Sequence, residues 1–185
     1  MTRLAARAAA VAVAAAVVAL VPAAIASARP ATEPKKLDGN AVISFAGVGP
    51  IKLKMGISAA RKAAKTGIIA GSEVTKDCRV DTVLPRRFGL KTLRFKLHIR
   101  VLYVDRTAMP TAKGVRVNDS LARLQSKYGS KLIERPSDVS ADLRVFELHS
   151  DSGAREMHFV VNSEDRITEI STGLLPEVDF DERCS

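Results

Sequence analysis

Between residues 93 and 103 the chain repeats one rule: Leu93, Phe95, Leu97, Ile99, Val101 and Tyr103 take every second position. Arg94, Lys96, His98 and Arg100 stand between them. Side chains of an extended strand alternate between two faces, so this spacing predicts a strand with one apolar and one basic face. No Gly, Asn or Pro interrupts the run. It therefore reads as one unbroken strand, about 40 Å long at roughly 3.3 Å per residue. Its four cations would project from one sheet face about 6.6 Å apart. Such a row suits an acidic partner, and Arg94, Lys96, His98 and Arg100 are the candidate binding residues. The plainer alternatives are that a helix, an acidic neighbouring strand or solvent covers them.

Weaker alternation recurs from Cys78 to Leu84, where Pro85 stops it, and over residues 143–149, 156–161 and 166–172. Asp151-Ser152-Gly153 and Asn162-Ser163-Glu164-Asp165 between the last three suit hairpin turns. A short strand is expected at Ala41–Phe45, then a turn at Gly47-Val48-Gly49-Pro50. Two segments carry helical spacing instead. Ser58 is the expected cap of a helix to about Thr66, with Ala59, Ala60, Ala63 and Ala64 opposite Arg61, Lys62 and Lys65 and Gly67 as its stop. Asn118 or Asp119 is the expected cap of another, with Leu121, Leu124 and Tyr128 as its stripe and Gly129 as its end.

Ile51-Lys52-Leu53 before the first helix and Val115-Arg116-Val117 before the second alternate alike, with 64 residues from Leu53 to Val117. The order of extended segment, capped helix and antiparallel strands occurs twice. The expectation is an α+β domain over 41–185 built of two αβ repeats, 41–110 and 111–185, with helices packed on one face of an antiparallel sheet.

The start of the chain reads as an address. Arg3 and Arg7 precede an apolar run from Ala8 to Val21, and Ala26-Ser27-Ala28 is a small-x-small cleavage pattern. Residues 1–28 are therefore expected to be a secretory signal peptide. The alternative is an uncleaved anchor, but the run is shorter than the ~20 residues of a spanning helix. Residues 29–40 read as a flexible leader, and no transmembrane segment follows cleavage. The expected location is extracellular or associated with the cell wall.

In an exported chain the two cysteines, Cys78 and Cys184, read as a disulfide clasp. Closing so long a loop would contribute about 4–5 kcal/mol before native strain. An intermolecular bridge or two buried thiols are the alternatives. Charge is lopsided: the chain carries +9 overall, while residues 29–114 hold 18 Lys/Arg against 6 Asp/Glu and residues 115–185 hold 9 against 14. Outside a cell, the anions that could answer the basic half are envelope polymers, lipid headgroups and acidic protein faces, not nucleic acid. A solvated surface is the plainer explanation.

Gly49-Pro50-Ile51-Lys52-Leu53-Lys54-Met55-Gly56, Gly114 to Leu121, Lys127-Tyr128-Gly129 and the terminal Glu182-Arg183-Cys184 resemble a family of secreted actinobacterial proteins of unknown function. More distantly they resemble the tandem-repeat fold of the β-lactamase inhibitor protein and of small outer-membrane-assembly lipoproteins. The resemblance spans nearly all of the chain after residue 28. It departs from the family at Lys54 and Asn118, where the family has Gly, and at Arg183, where it has Gly. The resemblance implies protein binding in some relatives and no shared catalytic residues.

Nothing in the chain spells out a reaction. There is no Gly-x-Ser-x-Gly elbow, and Gly47-Val48-Gly49 lacks the rest of a dinucleotide fingerprint. His98, His149 and His158 read as surface histidines, and with two cysteines they make no zinc signature. Asp179, Asp181 and Glu182 could form a weak cation site, but they lack the loop glycine and ligand spacing of a calcium hand and read as a solvated acidic tail. The expectation is a secreted, non-catalytic protein-binding or inhibitor-like module with no cofactor and no metal. Its partner would be another extracellular protein. The alternative is an anionic envelope component held by the basic half.

Overall fold

The computed structural model describes residues 36–71, 73–137 and 140–179. The expected signal peptide, residues 29–35 of the expected leader and Cys184 lie outside them. Leu37, inside the stretch read as leader, is buried, and its amide donates to the Ala64 carbonyl at 3.2 Å.

Three two-residue strands come first, β1 (Ile43–Ser44), β2 (Gly47–Val48) and β3 (Ile51–Lys52), paired as a small antiparallel sheet. Helix α1 (Ile57–Ala64) follows, then β4 (Ile68–Ile69), β5 (Glu73–Thr75), β6 (Cys78–Val83), β7 (Leu90–Phe95) and β8 (His98–Val104). After a connector come α2 (Leu121–Tyr128), β9 (Ile133–Pro136), β10 (Arg144–His149), β11 (Arg155–Val161) and β12 (Ile167–Leu174). The larger sheet has the order β4-β6-β7-β8-β12-β11-β10-β9, with β5 on β6. All its pairings are antiparallel. The two halves thus run inward from opposite ends and meet at β8 and β12.

Each half begins alike. Lys54 and Asn118 are both left-handed, at φ 68° and 73°. Lys54 N donates to Ile99 O and Asn118 N to Ile167 O, each at 2.7 Å. The return bonds are Ile99 N to Met55 O at 2.9 Å and Ile167 N to Asp119 O at 3.0 Å. A left-handed residue with a Cβ costs about 1–2 kcal/mol, less for Asn. In both halves that turn ties the segment entering a helix to the half's last strand. The helix caps differ: Gly56 offers no side chain, while Ser120 Oγ accepts from Arg123 N at 3.3 Å.

The α+β expectation of two αβ repeats with helices packed on one face of a sheet needs correcting. The described residues are mostly antiparallel sheet. Their two α-helices have eight residues each, about 12 Å of helix at 1.5 Å per residue. An eight-strand path at about 4.8 Å per strand is roughly 34 Å across, too wide for two such helices to cover as a layer. The helices add only Ala60, Ala64, Leu121, Leu124 and Tyr128 to the main buried cluster. Strand residues such as Leu90, Ile99, Leu102, Phe146, Phe159, Ile167 and Ile170 supply more of it, joined by Ile43, Val48 and Ile51 of the small sheet. Burying each large side chain contributes about 1.5–3 kcal/mol. The disulfide part of that expectation is not carried by the described residues either, because they include Cys78 alone and Cys184 lies outside them.

The unbroken strand over 93–103 is also corrected. Phe95 pairs with His98 across a two-residue turn at Lys96-Leu97, so β7 and β8 form a hairpin. Lys96 takes the left-handed conformation, φ 56°, where glycine or asparagine is usual. A register shift between Leu93 and Arg94 leaves Arg100 as the extra residue of a bulge.

Candidate functional site

The hairpin redistributes the four candidate cations. Arg94 turns to Asp81, Nε to Oδ2 at 3.2 Å, and that carboxylate is only 1% exposed. Arg100 Nη2 meets the two Glu177 oxygens at 2.7 and 3.0 Å. Lys96 and His98 remain exposed at the hairpin tip. The single-faced row of four does not form.

What the turn creates is an end surface. The β5–β6 turn at Lys76-Asp77 lies beside the β7–β8 turn, with Lys96 N donating to Asp77 O at 2.5 Å. Together they enclose a depression of about 140 Å³ lined by Lys76, Arg79, Arg94 and Lys96, with Thr75, Asp77 and Cys78. Next to it stand Phe95, 41% exposed, and Leu97, 71% exposed. Lys96 Nζ lies over the Phe95 ring, 5.8 Å from its centre. An isolated bridge from His98 to Gly56 brings the Lys54 turn alongside. Two large exposed apolar side chains in one turn, with Lys96 and His98 between and beside them, form a candidate docking patch, whereas single exposed apolar residues are ordinary.

The second half carries a different constellation. Glu147-Leu148-His149 on β10 and Glu156-Met157-His158 on β11 place Glu and His on one face, because alternate residues share a face. The register sets Glu147 opposite His158 and His149 opposite Glu156, a two-by-two checkerboard. Glu156 and His158 are each 3% exposed, so His158 is not the surface histidine expected. His158 Nε2 lies 3.0 Å from Glu156 Oε2, and His149 Nδ1 lies 2.8 Å from Glu156 Oε1. Glu147 Oε1 is ion-paired with Arg135 of β9.

The tail after β12 folds over this face. Val178 packs with Cys78, Leu93, Val101 and Tyr103 in a second apolar cluster. Gly173 permits the approach: a Cβ there would lie 2.7 Å from Val178 Cβ and 2.9 Å from Val101 Cγ2. Asp179 then reaches His158, Oδ1 to Nε2 at 3.4 Å. Its carboxyl is pushed up to about 6, first by burial and then by the Glu156 charge and hydrogen bond, with His158 opposing. Asp179 is therefore part of a cluster and not of a solvated tail; Asp181 and Glu182 lie outside the described residues. The repeated Glu-x-His at strand spacing was the sequence signal for this arrangement. Read one histidine at a time, it gives no hint that two strands set the pairs side by side.

No family model matches the chain, and no curated protein matches it. Among solved structures it is similar to the uncharacterized protein YfeY from Escherichia coli, at 13% identity and a TM-score of 0.48, covering 71% of this chain and 99% of that one. A DUF4309 family protein, YjgB, from Bacillus subtilis is similar at 12% identity and a TM-score of 0.34, covering 56% of this chain and 68% of that one.

Proposed function

We propose that the protein is an exported, non-catalytic binding module that occupies an acidic face of another extracellular protein. The observation carrying this reading is the hairpin end, where Phe95 and Leu97 stand exposed with Lys96 and His98 in the same turn and a depression lined by Lys76, Arg79 and Arg94 at the same end of the sheet. A few well-packed anchors near the centre of an interface carry most of its energy, and truncating one costs about 2 kcal/mol or more. The surrounding cations steer the encounter and reject basic partners. Residues 1–28, with their charged start, apolar run and small-x-small end, support export.

The alternative is adhesion to an anionic envelope polymer through the basic half, favoured by the excess of 18 Lys/Arg over 6 Asp/Glu in residues 29–114. Capture from the producing cell's extracellular fraction, repeated over a salt series, separates the two. A protein partner should stay bound at 0.5 M salt and be lost, by roughly 30-fold in affinity, in Leu97→Ser. Envelope adhesion should vanish with salt, because exposed charges are screened beyond about 8–10 Å, and should fall in Lys76→Glu/Lys96→Glu but not in Leu97→Ser. Retention that no hairpin-end variant alters would overturn both.

A further inference from the structure

Three carboxylates and one imidazole converge where the tail crosses β11, on residues that the hairpin-end interface does not use. The ligand-capable atoms of Glu147, Glu156, His158 and Asp179 all lie within 4.8 Å of one another. We propose that these four side chains form a site for a divalent transition-metal ion, zinc fitting best, which fastens the 175–179 tail to the sheet.

The donors come from β10, β11 and the tail, so an ion there would join the tail to the already paired β10–β11 hairpin. Four ligands at about 2.0–2.2 Å in a tetrahedron stand roughly 3.3–3.6 Å apart. His158 Nε2 is already 3.0 Å from Glu156 Oε2 and 3.4 Å from Asp179 Oδ1. No two of the four donor atoms are more than 4.8 Å apart, so closing the rest of the set asks for at most about 1.2–1.5 Å of approach in any pair.

The ligands are also held from behind. His149 Nδ1 occupies Glu156 Oε1, which leaves Oε2 facing His158, and Arg135 holds Glu147 Oε1. Outer partners of this kind orient ligating groups and contribute to metal affinity. A solvated acidic patch has neither a buried imidazole nor carboxylates fixed by their second oxygens. The buried nitrogen also selects the ion: imidazole suits zinc and its neighbours, whereas calcium and magnesium prefer all-oxygen sets of six or more ligands. The raised Asp179 carboxyl agrees with this, since the cluster needs a positive charge that a dication supplies.

The test uses the full chain stripped with EDTA, titrated with Zn²⁺, Co²⁺, Mn²⁺ or Ca²⁺ and followed by calorimetry, thermal melting and the visible spectrum of the cobalt form. The proposal expects one equivalent of Zn²⁺ and a midpoint raised by roughly 5–10 °C at a hundredfold excess over Kd. It expects the intense visible bands of four-coordinate cobalt, weaker binding of Mn²⁺ and no competition from Ca²⁺. Asp179→Asn, at the more exposed ligand, should keep the stripped fold and weaken Zn²⁺ at least tenfold. His158→Gln should remove the cobalt bands, with circular dichroism checking that the chain has folded. An unchanged midpoint with Zn²⁺, wild-type zinc affinity in folded Asp179→Asn, or equal stabilisation by Ca²⁺ would each overturn it. Partner capture by Asp179→Asn should stay at the wild-type level, which keeps this site separate from the hairpin end.

Discussion

The two halves share an entry turn, a helix and a run of antiparallel strands, yet they finish their last hairpins differently. In the first half, the β7–β8 turn is two residues long, with Lys96 left-handed and Leu97 exposed. In the second, the β11–β12 turn over residues 162–166 satisfies itself. Asn162 Oδ1 accepts from Glu164 N at 3.1 Å and Arg166 N at 2.9 Å, and Asp165 is ion-paired with Arg144. A turn that uses its own polar groups offers a partner little. The tighter turn leaves apolar surface uncovered, and that difference makes one end the candidate interface. The opposite sheet faces diverge as well: Leu93, Val101 and Tyr103 in the first half, the Glu-x-His checkerboard in the second.

The sharpest test of this contrast concerns ion pairs. Arg94→Met would leave the Asp81 carboxylate buried without its guanidinium, and should cost about 3 kcal/mol. Arg144→Met breaks the solvent-exposed pair with Asp165 and should cost under about 1 kcal/mol. Urea unfolding of both variants measures the difference; equal losses would mean that burial does not separate the halves. A smaller effect, of opposite sign, lies in the shared entry turn. Lys54→Gly should stabilise by about 0.5–1 kcal/mol through relief of the left-handed backbone. Asn118→Gly should change little, because Asn tolerates that conformation. Thermal midpoints of the pair compare the two turns directly.

The last effect is read against pH and is confined to the second half. With chelator present, Asp179 has a folded pKa of about 6, above its ordinary 3.8. A carboxyl raised on folding contributes stability below its unfolded pKa and loses it as pH rises through the folded value. Asp179→Asn removes that dependence. The wild type should therefore lose stability relative to the variant between about pH 4 and 7, and the gap should level off above that. A constant gap across the range would show that neither burial nor Glu156 raises the Asp179 carboxyl.

Much of the sheet was legible because central strands alternate. β6, β10, β11 and β12 lie within a residue or two of the spans that period-two spacing marks. Edge strands pair on one side and need no buried face, so β4 and β9 left little pattern; Ile133 of β9 stays half exposed. The β7–β8 turn was hidden for a different reason: a lysine holds the left-handed position, so no glycine or asparagine announces it. The four candidate cations do not share the single face that alternation predicts. Asp81 and Glu177, which engage Arg94 and Arg100, lie 13 and 77 residues away along the chain, beyond the reach of any local pattern. The expected layer of helices failed because a helical stripe in sequence gives direction but not enough length to cover a broad sheet.

The meeting of β8 and β12 has a consequence for the order in which the chain matures. Every other pairing in the larger sheet joins strands adjacent or next but one along the chain, whereas this one joins Val101–Val104 to Ile170–Gly173. Local meanders close small loops and form early, and the distant pairing carries the largest entropic delay. Until residues 167–174 arrive, β8 is a bare edge whose amides and carbonyls can recruit another chain. The final strand is thus both the last piece of the sheet and its guard against aggregation.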